Sequence, residues 1–189
     1  LEVIGREWGK ILLTVYKNLD AICDCLDSLV VEKGISSRLQ GFSTEKTVQL
    51  METMLELTER KIKFINLKLI IENALKAMDE KSRKALLFRY SDCYSFQTIA
   101  LLTQVTLRTA QRKVAIAEKR YEFKLNQLGY TDGYLCEKYG NEPLITGVCQ
   151  RLNSDKRYKK NRLAKLKADG YDNYILSTKL KNCNVISAR

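Results

Sequence analysis

The 189-residue chain predicts an all-α protein: a long, coiled-coil-like helical hairpin over residues 1–78, a compact set of helices over 79–128, and a basic helical region over 129–189. Three observations carry this expectation. One Pro and nine Gly are too few breaks for a β fold punctuated by tight turns, and they favour long helices. Apolar residues recur at alternating spacings of three and four through the first 78 positions. With 45% hydrophobic and 29% charged residues, the chain has material for a core and is unlike a disordered or collagen-like sequence.

The first helix is read from Ile4 to Val31, where Trp8, Leu12, Val15, Leu19, Ile22, Leu26 and Leu29 form one heptad seam. Gly34 and the polar Ser36, Ser37 and Arg38 end it, and Ser43 or Thr44 offers an N-cap for the next helix. The seam of that helix is Val48, Met51, Leu55, Thr58, Ile62, Ile65 and Leu69. Each helix would be ~40 to 50 Å long. They fold back on each other as a hairpin or pair with a second chain as a homodimer, and a heptad alone does not choose. Ile11, Tyr16, Phe64, Ile70 and Ile71 flank the seams and imply more than one packed face.

Residues 78–118 divide into helix, turn, short helix, turn and helix, the spacing of a helix-turn-helix. Asp79 caps a helix whose inner side holds Ala85, Leu86, Leu87 and Tyr90. Ser95 caps a helix of barely two turns that buries Ile99, Ala100 and Leu102. After the turn Thr103-Gln104-Val105, Thr106 caps a longer helix with Ala110, Val114, Ala117, Tyr121 and Leu125 on one face.

Charge is concentrated. Residues 81–124 carry a net +7 and residues 151–167 another +7, while 1–80 and 125–150 are each −2. Two basic blocks make a local positive field that attracts a polyanion, nucleic acid first among the candidates; the plain alternative is a solvated helix face.

This middle segment resembles region four of the bacterial RNA polymerase sigma factors, especially the extracytoplasmic-function type. The features in register over about 40 residues are Arg83, Arg89-Tyr90, Asp92, Ser95, Ile99-Ala100, Val105, Thr106, Thr109 and Ala117. Cys93 and Gln104 stand where that family usually places Gly, and Thr98 stands where Glu is common before Ile-Ala. The resemblance implies double-stranded DNA as partner, with the third helix entering the major groove by its N-terminal end. Arg108, Gln111 and Arg112 are the candidate base contacts, since Arg binds guanine and Gln binds adenine at two points each. Ser95, Gln97, Thr98, Thr106, Thr109 and Lys113 are the candidate phosphate contacts, which position rather than specify. RNA polymerase is a further implied partner. Residues 1–78 show no region-two motif, so a regulator that borrowed the module and a complete sigma factor both remain open.

Gly129 is expected to close the long helix in the left-handed conformation. A short helix with Tyr130, Tyr134 and Tyr139 follows, then one opened by Pro143. Asn153-Ser154-Asp155 would cap a basic helix over 156–168 carrying Lys156, Arg157, Lys159, Lys160 and Arg162. That helix would grip DNA backbone, lie solvated, or meet an acidic partner protein. Residues 171–189 have weak periodicity.

Other classes find little support. With no His, Ser-His and Cys-His nucleophile pairs and imidazole bases are absent, and no phosphate-binding Gly loop is visible, so an enzyme is not expected. The six Cys lack a CxxC pair and read as reduced thiols, with no metal or cofactor expected. No apolar run approaches bilayer length and Glu2, Arg6, Glu7 and Lys10 spoil a signal-peptide layout, so the expectation is a cytoplasmic protein with no membrane partner. A helical scaffold binding an acidic protein is the second reading.

Overall fold

The computed structural model describes residues 7–40 and 44–154. Every regular element among them is a helix. The cap expected at Ser43, the basic stretch with Lys156, Arg157, Lys159, Lys160 and Arg162, and residues 171–189 lie outside the described residues. Two compact units divide the chain, Leu1–Ile145 and Thr146 onward. The second unit is described to residue 154 and is helical over that stretch.

In the first unit the helix expected from Ile4 to Val31 is two helices, α1 (Trp8–Tyr16) and α2 (Leu19–Gln40). Asn18 marks the break: its amide bonds Val15 O at 2.9 Å, and its carbonyl receives the Ile22 amide at 3.0 Å. Asn is a poor interior helix former and a good cap, which a seam count does not register. The split divides the seam's work. Trp8, Leu12 and Val15 are buried where α1 packs on later helices, whereas α2, with Leu19 and Leu26 buried, packs along α3 (Thr44–Lys76).

Helix α3 corrects the expected seam. Val48, Met51, Leu55, Thr58, Ile62, Ile65 and Leu69 are all exposed. The packed side is a different heptad row, Leu50, Met54, Leu57, Lys61, Phe64, Lys68, Ile71 and Leu75, each half-buried or buried. Its two charged members are the reason it escapes notice in the sequence. Lys61 Nζ reaches both carboxylate oxygens of Asp27 (2.7 and 2.6 Å), and Lys68 pairs with Asp20. Lysine lays its methylene stem along an apolar surface while its ammonium stays at the edge. Because 61 meets 27 and 68 meets 20, α2 and α3 run in opposite directions.

Helix α4 (Glu80–Leu86) starts at Asp79, whose Oδ2 accepts from the Ser82 amide at 3.0 Å and whose Oδ1 accepts from Arg120 Nη1 at 3.0 Å. These bonds, the Ser82 amide first, hold the Asp79 carboxyl below the usual range. α4 continues as a π-helical turn, Leu87–Ser91. Next come α5 (Phe96–Leu102), α6 (Leu107–Gln127) and α7 (Asp132–Tyr139). Ala110, Val114, Ala117, Tyr121 and Leu125 of α6 are all buried, as the period predicts, but Leu102 of α5 is 55% exposed and plays no core role. Gly129 closes α6 at φ 86°, with the Tyr130 amide bonded back to Leu125 O at 3.0 Å. Near the end of the unit, buried Glu142 accepts from Arg60 Nε (3.1 Å) and Lys63 Nζ (3.3 Å), tying this segment to α3.

Cys93 and Gln104 adopt φ of 56° and 51°, the two positive values among described non-Gly residues. Both sit where the resemblance expects Gly, so the turns keep a left-handed backbone and bear its steric cost. Gln104→Gly is therefore expected to raise stability by up to about 1 kcal/mol, once the extra freedom of Gly in the unfolded chain is offset. Chemical denaturation would reveal it as a higher midpoint at unchanged slope.

Candidate nucleic-acid interface

α5 and α6 are held by a small apolar core in which Ile99 and Ala100 meet Ala110 and Val114, with Ala85, Phe88, Phe96 and Val105 packed around them. The turn between the helices is closed by the Val105 amide on Ala100 O at 3.0 Å, made possible by left-handed Gln104, and Thr103 Oγ1 bonds Ile99 O at 2.7 Å.

Both helices begin with the same device. Ser95 Oγ accepts from the Thr98 amide (3.1 Å) and lies 2.9 Å from Thr98 Oγ1; Thr106 Oγ1 accepts from the Thr109 amide (3.3 Å) and lies 2.9 Å from Thr109 Oγ1. Four of the candidate phosphate contacts are thus engaged first in capping. Ser95, Thr106 and Thr109 are exposed and Thr98 is half-exposed; Gln97 and Lys113 are exposed.

The candidate base contacts come together. Arg108 and Arg112 are one turn apart with Gln111 beside them, and all three are exposed on the side of α6 away from Ala110, Val114 and Ala117. Exposed Ala115 and Lys119 extend this face. Ala115, whose small side chain leaves room for close approach, was not singled out in the sequence reading.

Arg89 and Tyr90 tie the neighbouring elements together. The Arg89 guanidinium lies 4.5 Å from the Phe96 ring centroid and donates to Tyr94 O at 3.1 Å. Tyr90 OH donates to Glu118 Oε1 at 2.7 Å, and Lys10 Nζ reaches Glu118 Oε2 at 3.5 Å, so one carboxylate joins α1, the π-turn and α6. Burial, then the neighbouring Glu118 charge, pushes the Tyr90 phenol up, which keeps it a donor. A cleft bounded by α4, α5 and α6 is lined by Lys81, Lys84, Lys113 and Arg120 among others, with Lys84 paired to Glu80 at 2.6 Å and Arg120 to Asp79 at 3.0 Å. The sequence placed Lys81 and Lys84 in the basic block, but their nearness to Lys113 comes from tertiary packing.

Among the described residues no group of His, Cys, Asp and Glu side chains has the arrangement to hold a metal ion, and no helix is long and apolar enough to cross a membrane. Compared with protein families, curated proteins and solved structures, the chain has no match.

Proposed function

We propose that the chain is a sequence-specific, double-stranded-DNA-binding transcription regulator whose α4–α6 segment acts as a helix-turn-helix of the sigma region-four type. The observation that carries this reading is the face of α6 bearing Arg108, Gln111 and Arg112, exposed in its first two turns while the opposite face is locked against α5. An exposed, basic helix start is what major-groove readout requires. The two left-handed turn positions and the paired caps at Ser95 and Thr106 support the same reading, because they set the angle between the helices. Lys113, Gln97 and the four capping hydroxyls flank that face and serve phosphates. Lys81 and Lys84 join them as backbone contacts, since duplex DNA extends well past one helix end. The role is recognition, not catalysis.

Binding the full chain to a pool of random duplexes and sequencing the retained fraction tests the proposal. A shared motif is expected, and affinity for it should fall steeply with salt, with a log-log slope of about −0.9 per neutralised phosphate. Retention without any motif would refute sequence-specific recognition, and a flat salt response would refute DNA binding and favour an acidic protein as partner. Addition to core RNA polymerase on the selected promoter then separates a regulator from a complete sigma factor, since only the latter starts transcription alone.

A further inference from the structure

We infer that α3 pairs with α3 of a second copy of this chain, antiparallel and about a two-fold axis, through the stripe Val48, Met51, Leu55, Ile62, Ile65 and Leu69. Each of these is between 41% and 65% exposed, and with Thr58 between Leu55 and Ile62 they hold a three-four spacing from residue 48 to 69. A regular heptad stripe is the pattern left by a packed helix partner, and within this chain α2 lies on a different row, the one containing Lys61 and Lys68. The stripe is wider than α3 alone. Ile65 follows Lys61 by four residues and Val31 follows Asp27 by four, so both stand on the side of the helix pair where those ion pairs lie. Exposed Ile35, one further turn along α2, extends it. Monomeric proteins seldom expose one continuous apolar patch beyond about 300–600 Å².

Charge selects the occupant and its direction. From residue 47 to 59, α3 carries Glu52, Glu56 and Glu59 and no Lys or Arg; from 60 to 76 it carries Arg60, Lys61, Lys63, Lys68 and Lys76 against Glu72 alone. Parallel pairing in register would lay the three Glu beside their own copies. Antiparallel pairing lays each acidic half on the other's basic half, whose cations also meet carboxylates of their own chain but whose Lys63 and Lys76 stay 47% and 69% exposed, and it repeats every contact twice, the self-complementarity that a two-fold dimer needs. Glu52, Glu56 and Glu59 form no ion pair among the described residues, and Lys63 keeps 47% of its side chain exposed although it also meets Glu142. The partner must also be a helix as long as the stripe, which α3 itself is. This inference does not depend on the DNA reading.

Sedimentation equilibrium of the 189-residue chain across micromolar concentrations tests it, with twice the chain mass expected. Leu55→Glu and Ile62→Glu, each placing an unpaired carboxylate in the joint, should weaken association on the order of tenfold or more at unchanged helical circular dichroism. Glu52→Lys, beside the stripe, should weaken it by about twofold to fivefold by setting Lys against the partner's basic half. A chain that stays monomeric throughout overturns the proposal, as does one whose stripe is shielded from hydroxyl-radical labelling while monomeric, which would mean that another part of the same chain covers it. A tighter dimer for Glu52→Lys would overturn the antiparallel direction.

Discussion

Arg112→Ala is expected to weaken binding to a selected duplex by about 1–3 kcal/mol and to broaden the bases accepted at the positions it reads. Arg112 is exposed on the outward face of α6, one turn beyond Arg108, and forms no ion pair or side-chain hydrogen bond among the described residues. Its loss should therefore leave the unfolding midpoint unchanged while removing a bidentate donor from the groove. Lys113→Ala supplies the contrast. As a phosphate contact it should weaken all duplexes alike and lower the salt slope by about 1. Titrating both variants against the selected site and against single-base changes of it separates the two roles. If Arg112→Ala weakened every sequence equally, Arg112 would be a backbone contact and specificity would lie with Arg108 and Gln111.

Phe64→Ala should cost about 3–5 kcal/mol of stability, because Phe64 is 1% exposed on the packed row of α3 and truncation leaves a cavity. Leu55→Ala, at a position 60% exposed, should change the stability of the dilute monomer by no more than about 0.5 kcal/mol. Heptad spacing alone ranks these in reverse, since Leu55 lies in the regular stripe and Phe64 outside it. Urea unfolding of both variants decides which face of α3 holds the monomer together.

Legibility in the sequence followed how local the cause was. The buried row of α6 and the caps at Asp79, Ser95, Thr106 and Gly129 could be read directly, because each rests on a few neighbouring residues and a helical period. The conformation of Cys93 and Gln104 was legible only as an expected glycine position, since neither residue type announces a positive φ. Spacing does not reveal the packed face of α3 because two stripes compete along it: the one that is apolar but for Thr58 faces outward, and the one that packs includes Lys61 and Lys68, whose partners Asp27 and Asp20 lie on another helix. The break at Asn18 was hidden inside an apolar rhythm that continues across it. The Tyr90–Glu118–Lys10 junction joins residues far apart in sequence, and no spacing rule links them.

Nuclear magnetic resonance of the full chain titrated with a selected duplex addresses the central claim most directly. The largest shifts should fall on Arg108, Gln111, Arg112 and Lys113, with smaller ones at Ser95–Thr98 and at Lys81 and Lys84, while the α3 stripe stays unmoved. Shifts that bypass the first two turns of α6, or resonances there that do not respond to saturating duplex, would contradict it.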